Sequence, residues 1–389
     1  MNATDRTDIA VIGGGSAGIC AAVAAARKGA KVILIERSDR LGGMGTLAMV
    51  HTFCGLYDPD VSNPPRIANQ GLPDEIEKLM REATGADPVK MGKVYVLPQH
   101  PEAFAEIARR LTSSEPNLEV RYNTTCDGIS RETDGSFRVS ASDRAIHCRA
   151  IIDTSADALV AEFLGATRLS VPPENLQRSA FIFAMRNVDP AAAEESFRMR
   201  LALEIVRAVA SGSLPQTALG TACRVSTVPG EVYFTTDLDP APSEDLQASG
   251  QSLSETLAAF LRNRFPEYAE ATGPFAAAEP GIRESYRWLG EYTLTAEDLL
   301  SGATFPDTVA YATWPMELRE NTRGPKLRFF ENPIAASIPL RCLKSAEIPG
   351  VFFAGRCLSA THEALASVRV MGTCFATGQA AGIAACDFL

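Results

Sequence analysis

The sequence predicts an α/β protein, with a doubly wound, parallel-sheet dinucleotide-binding domain into which a separate α+β domain is inserted. Three observations predict it. An apolar run, Asp8–Ile12, leads through Gly13-x-Gly15-x-x-Gly18 and an Ala-rich stretch to a second β-branched run at Lys31–Ile35, in under 30 residues. Near its end the chain returns to a buried-looking run, Val351–Phe353, followed by an Ala/Gly-rich stretch. Between about Ser170 and Phe330 that rhythm does not recur. The expected division is 1–169 for the first part of the dinucleotide domain, with a small excursion at about 58–98. The inserted domain takes 170–330 and the return segment 331–389.

Each element has a local reason. Asp8–Ile12 reads as a buried parallel strand, Gly13–Gly18 as a tight turn and Ile19–Lys28 as a helix stopped by Gly29. Asp58–Pro73 is rich in Pro, Asn and Asp and reads as a loop. Asp74–Glu82 is helical, Val94–Leu97 a short strand, and Pro101–Leu111 a helix with Pro at its N-terminus and Phe104, Ile107, Ala108 and Leu111 on one face. Leu118–Tyr122, Phe137–Ser140 and Ala150–Ile152 read as strands. Pro172-Pro173 marks a boundary; a β-like run Phe181–Met185 follows, then helices at Ala191–Ser211 and Leu253–Arg264. Val370–Cys386 carries no charge and contains Gly378-x-x-x-Gly382, but it is short for a ~20-residue membrane span. It reads as a helix buried on all sides.

The chain has 389 residues, enough to bury roughly three quarters of its unfolded surface without staples. With 37 Lys and Arg against 47 Asp and Glu, the net charge of −10 argues against nucleic-acid partners and anionic membranes. Nine cysteines with no C-x-x-C disfavour a disulfide scaffold and a zinc ribbon; no metal site is expected, and reduced cysteines point to the cytoplasm. The opening residues, with Asp5, Arg6 and Asp8, do not read as a signal peptide.

The glycine fingerprint carries the chemistry. It follows a strand and opens a helix, and Glu36 ends the next strand 18 residues beyond Gly18, where a ribose-binding carboxylate is expected. Gly13 permits the turn, Gly15 lets backbone approach a pyrophosphate, and Gly18 lets helix and strand pack closely. The helix N-terminus offers unpaired N–H groups to the phosphates. A carboxylate at Glu36 would repel a 2′-phosphate, which disfavours an NADP-type ligand. Only one such fingerprint exists, so a reductase with separate FAD and NADPH domains is disfavoured.

A second glycine cluster follows Glu36-Arg37, namely Leu41-Gly42-Gly43-Met44-Gly45-Thr46, and Ile348–Arg356 holds a strand-plus-glycine segment. Both resemble the glutathione-reductase-like FAD proteins. With Gly281–Leu299, Ile338–Leu343 and Val351–Gly382, these segments are similar to the bacterial FAD-dependent oxidoreductase family. That resemblance implies a glutathione-reductase-like Rossmann FAD domain and an FAD cofactor. It implies cofactor contacts at Gly13, Gly14, Gly15, Ser16, Ala17, Gly18, Glu36, Arg37, Gly42, Gly43, Met44, Gly45, Thr46, Cys126, Ser155, Ala156, Gly355, Arg356, Val370 and Met371. It also implies a small-molecule substrate and an unidentified electron acceptor. Two departures stand out. Asp153-Thr154-Ser155-Ala156-Asp157 has Ala where the superfamily has Gly, so its turn is expected to differ slightly. Arg356 stands where Asp is often found, and would pair with a phosphate.

Proton chemistry points to His362, in Ser359-Ala360-Thr361-His362-Glu363-Ala364, as the first acid/base candidate, with Arg369 to neutralise a substrate carboxylate or reduced flavin. His51 is a third candidate, in an active-site role or, with Cys54, as a covalent anchor. Arg283, Tyr286, Arg287 and Tyr292 would line a pocket for an acidic or hydroxylated molecule. The expected reaction is dehydrogenation of a small organic molecule, or its reverse, by hydride transfer at flavin N5. The alternatives are a flavin monooxygenase and a non-catalytic flavin- or NAD-binding redox protein. A halogenase-type W-x-W-x-I-P stretch is absent, since Trp288 and Trp314 do not fit it.

Overall fold

The computed structural model describes residues 4–59, 65–142, 144–241, 243–321, 324–331 and 334–389; residues 60–64 of the expected loop at Asp58–Pro73 lie outside them. Strands Ile9–Ile12, Val32–Ile35, Ala150–Asp153 and Val351–Phe353 are buried along their whole length, as apolar runs covered on both faces must be. With Leu118–Arg121 at the edge they form a five-stranded sheet in the order 351–353, 150–153, 9–12, 32–35, 118–121. Every pairing in it is parallel. The return strand Val351–Phe353 joins a sheet built otherwise from the first part of the chain.

Side-chain alternation sorts the two faces. Ile9, Val11, Val32, Leu34 and Ile152 pack against helices Ser16–Arg27, Pro101–Ser113 and Met371–Phe388. The opposite face, Ala10, Ile12, Ile33, Ile35 and Ile151, meets one short helix, Leu159–Leu164, and not the layer of helices that a doubly wound sheet requires. It packs on a second, four-stranded sheet in the order 4–6, 144–148, 137–141, 126–131. Those strands alternate buried and exposed residues, and their apolar side is supplied by Cys126, Ile129, Phe137, Val139, Ile146 and Cys148.

The Gly378-x-x-x-Gly382 stretch is a helix–helix contact. A Cβ at Gly378 would lie 2.1 Å from the Ala17 carbonyl oxygen, and one at Gly382 would lie 2.3 Å from that of Ala21. Ser16–Arg27 and Met371–Phe388 therefore pack backbone to backbone. No described helix is long and apolar enough to cross a membrane.

The middle segment has its own sheet, in the antiparallel order 222–225, 232–238, 179–186, 272–276. Phe181, Phe183 and Phe234 on one face pack with Phe197 and Leu201 of helix Glu195–Ala210 and Leu253, Leu257 and Leu261 of helix Ser243–Arg264. The other face, Ile182, Ala184 and Tyr233, packs on Met49 and Val50 and so looks back toward the glycine loops. Trp288 bolts the layers together: it stacks on Phe353 (5.0 Å between centroids) and donates its Nε1–H to Asp153 (2.9 Å).

Candidate active site

A cavity of about 1040 Å³ opens at the carboxyl ends of the parallel strands, at Ile12, Ile35 and Thr154, and is closed opposite by Ala180, Ile182 and Thr235 of the middle sheet. Ligands of open α/β sheets bind in this position.

One end of the cavity is backbone. Gly13, Gly15, Ser16 and Ala17 line it. Helix Ser16–Arg27 starts at Gly15 with no side-chain cap and no acidic residue in its first turn, so its first N–H groups and its partial positive charge are left for an anion. A Cβ on Gly15 would meet nothing within 4 Å; it would project into the cradle a ligand needs. Gly18 works from behind: a Cβ there would sit 1.8 Å from the Gly13 carbonyl oxygen. Glu36 also lines the cavity; its Oε2 accepts from Gly14 N–H (2.7 Å) and its Oε1 from Ser38 N–H and Oγ–H (both 2.8 Å). Oε2 keeps a second lone pair, whereas both lone pairs of Oε1 are taken by Ser38. Arg37, on the rim, pairs with Glu279 (2.6 Å).

The second glycine cluster is tied to the first: Gly42 N–H donates to Gly14 C=O (2.9 Å), and Thr46 Oγ–H donates to Leu41 C=O (3.0 Å). Gly43 and Met44 line the cavity, whereas Gly14, Gly18, Gly42, Gly45 and Thr46 brace the loops from outside the lining. Cys126, Ser155, Ala156, Gly355, Arg356, Val370 and Met371 complete this end.

The Asp153–Asp157 turn holds Ala156 in a left-handed conformation (φ 74°), at a cost of about 1–2 kcal/mol for a residue with a Cβ. It is held by buried Asp153, which accepts from Ser155 N–H and Oγ–H, Val160 N–H and Trp288 Nε1–H. Burial pushes the Asp153 carboxyl up despite these donors. The Arg356 guanidinium, expected to pair with a phosphate, donates through its terminal nitrogens to Asp157 (2.8 Å) and Ser285 (2.9 Å), and its buried Nε has no partner among the described residues.

The other end is built from side chains. Arg283, Arg319 and Arg369 meet Glu317 and Trp314 there, with Lys93 and Arg224 farther out on the wall. Asp237, fully buried, pairs with both Arg283 and Arg319 (2.8 Å each), and Glu317 pairs with Arg319 (2.6 Å). Among the described residues Arg369 donates only to the side-chain oxygen of Gln177 and the carbonyl of Glu317 (both 3.2 Å). Burial, then Arg283, pushes its guanidinium down to about 10, still protonated at neutral pH. Of the polar-aromatic cluster read from the sequence, only Arg283 reaches the cavity. Arg287 pairs with Glu284, exposed Tyr286 lies against Arg168, and Tyr292 donates to Asp298.

The histidines exchange importance. His362 is not on the lining; helix His362–Val368 begins with it, and its Nδ1 lies 2.8 Å from Glu284 Oε2 in a buried network with Arg287. The Glu284 carboxylate holds its pKa above the ordinary value. His51 does line the cavity, stacked on Tyr233 (4.6 Å, 8° between planes). Its Nδ1 lies 3.2 Å from Met49 C=O, an acceptor, which assigns the proton to Nδ1 and leaves Nε2 with its lone pair. Burial, then Arg224, lowers its pKa to about 4, so the ring is neutral. Cys54, also on the lining, is held as a thiol, pushed up to about 12 by burial.

Sequence reasoning missed Arg319, Glu317, Trp314 and Arg224. They lie on hairpins whose only local signal is alternation, and no motif marks them. The closing helix opens at Met371, and a separate short helix, His362–Val368, precedes it; Val370 at the break places the N-terminus of Met371–Phe388 at the cavity.

The description "FAD dependent oxidoreductase" belongs to a family that matches residues 8–387. No curated protein matches the chain. Among solved structures, a geranylgeranyl bacteriochlorophyll reductase-like protein from Thermoplasma acidophilum is similar over 99% of this chain and 79% of its own, with TM-score 0.52 and 14% identity. At that identity the likeness speaks for the fold alone. Weaker likenesses include p-nitrophenol 4-monooxygenase PnpA from Pseudomonas putida DLL-E4 (TM-score 0.42, 13% identity, 93% of this chain and 74% of that one) and PqsL, described as a probable FAD-dependent monooxygenase, from Pseudomonas aeruginosa (0.44, 13%, 98% and 85%). The donor set at the glycine end fits FAD: an uncapped helix N-terminus, a cradle that a Cβ on Gly15 would fill, and a carboxylate with one oxygen that can still accept.

Proposed function

Because the chain belongs to the FAD-dependent oxidoreductase family, we propose that it dehydrogenates a small organic substrate, or runs the reverse reduction, within the single cavity described above. Bound FAD supplies a hydride acceptor or donor at N5. The observation that carries this reading is the continuity of the cavity, which joins the glycine loops to the arginine-lined end. In this reading 1–169 and 331–389 form a glutathione-reductase-like cofactor domain, and 170–330 supply the substrate side.

The chain's own residues then take distinct tasks. The N–H groups at Gly15, Ser16 and Ala17 would hold the diphosphate, and the spare lone pair on Glu36 Oε2 would accept from a ribose hydroxyl. The N-terminus of Met371–Phe388 would place a partial positive charge at the flavin's pyrimidine edge. His51 Nε2, unprotonated at neutral pH, would accept the substrate's O–H or N–H proton as the neighbouring C–H gives up its hydride. His362, held by Glu284 off the cavity lining, has no part in this step. An electron acceptor outside the chain must then reoxidise the cofactor.

The test is anaerobic mixing of the flavin-loaded protein with alcohols, amines and hydroxy acids, followed by the visible flavin bands. Bleaching by one of these classes is expected, and His51→Asn should slow it by about 100-fold or more with FAD still bound. A protein that bleaches only with a reduced nicotinamide, then yields an oxygenated product in air, is a monooxygenase, and the dehydrogenase reading fails.

A further inference from the structure

At the arginine end, three cations meet two carboxylates. Arg319 is held by both Asp237 and Glu317, and Arg283 by Asp237 together with the Arg178 carbonyl (2.6 Å). Glu317 is further committed through its Oε2, which accepts from Trp314 Nε1–H (3.0 Å). Arg369 is left over. It makes no ion pair among the described residues, its two hydrogen bonds go to neutral oxygens, and its buried Nε has no partner. Gln177, which shares its hydrogen bond, is buried with its own Nε2 unpartnered. A guanidinium in this setting has lost hydration and shares only carboxylates already paired elsewhere, Glu317 with Arg319 and Glu284 with Arg287, and an anion entering the cavity supplies a partner of its own.

The surroundings narrow the anion. Counted over Arg283, Arg319 and Arg369 against Asp237 and Glu317, this cluster carries one positive charge more than its carboxylates, and the planar guanidinium fork suits a carboxylate. Beside Arg369 the wall is apolar: Trp314 packs with Val94 and Val96, against Cys54 and Val370. We propose that this end of the cavity binds the carboxylate of an organic acid with an apolar body, with Arg369 as its primary partner and Arg283 beside it. The proposal rests on reading the cavity as the substrate site of a flavoenzyme.

Calorimetry on the flavin-loaded protein tests it, with benzoate, phenylacetate and hexanoate each set against its amide, and inorganic phosphate as a further probe. At least one acid should bind about tenfold or more tighter than its amide. Arg369→Gln should lose about 10- to 100-fold in that affinity, and Arg369→Lys less, with FAD content unchanged. The proposal is overturned if no acid binds, if acids and amides bind alike, if phosphate outcompetes the acids, or if Arg369→Gln binds acids like the parent protein. Should Arg369→Gln not fold, Arg369→Lys and the acid–amide comparison on the parent protein decide. Failure of the flavin reading itself shows separately, as a protein without flavin absorption, and the same comparison on that protein still judges the anion site.

Discussion

The two ends of the cavity are made by different means. The glycine end is local: Gly13 to Ala17 and Glu36 lie within one strand–helix–strand unit, and their contacts are backbone donors and one carboxylate. The arginine end is assembled from residues 237, 283, 317, 319 and 369, which no short segment contains, and its contacts are charged side chains that are largely buried. A backbone site tolerates changes in neighbouring side chains but not an added Cβ. A side-chain site has the opposite sensitivity. The first suits a cofactor common to many proteins, and the second suits a substrate peculiar to one.

That contrast can be broken or sharpened by four changes. The largest effect is expected at Gly18. Its Cβ would meet backbone, which cannot step aside, so Gly18→Val should cost about 3 kcal/mol or more and leave little folded protein by thermal melting. Next is pH. His51 takes a proton near its ordinary pKa of 6.5 when unfolded but only at about 4 when folded, so acidification between those values favours the unfolded chain. Stability should fall by up to about 3 kcal/mol across that window, read from melts at successive pH, and His51→Gln should remove this contribution.

Gly15→Val separates folding from binding. The backbone there is already extended (φ −72°, ψ −173°) and the space is open. The FAD-free protein should melt within about 0.5 kcal/mol of the parent, while FAD affinity, by fluorescence titration, drops about 100-fold through lost charge-assisted hydrogen bonds. The smallest effect is at Ala156, where Ala156→Gly should relieve the left-handed strain and stabilise by up to about 1 kcal/mol in a urea titration.

The same contrast explains what was legible in the sequence. The parallel sheet, the fingerprint turn, Glu36, and the packing role of Gly378 and Gly382 follow from spacing and residue size, which are local properties. The second sheet at 126–148 was half visible: Phe137–Ser140 alternates cleanly, while its neighbours Cys126–Arg131 and Arg144–Cys148 are mostly polar on their exposed sides. His362 looked well placed because it lies between a cofactor-type strand and the closing helix. Sequence position could not reveal that Glu284, 78 residues away, captures its ring. Likewise Arg319 and Glu317 gain meaning only when Asp237 and Arg283 arrive beside them, and a long-range ion-pair network has no spacing to read. Arg369 was found because it abuts the closing helix, not because its lack of an ion pair among the described residues could be seen.

The central claim is that this cavity holds FAD on the glycine loops, and the most direct test is the absorption spectrum of the purified protein before and after acid precipitation. Visible flavin bands are predicted in the intact protein. They should pass into the supernatant, because the Cys54 thiol is held protonated and the neutral His51 ring is engaged by Met49 and Tyr233. Colour retained in the pellet would reassign one of those two residues as a covalent anchor. A protein that shows no flavin bands even after incubation with excess FAD would contradict the account.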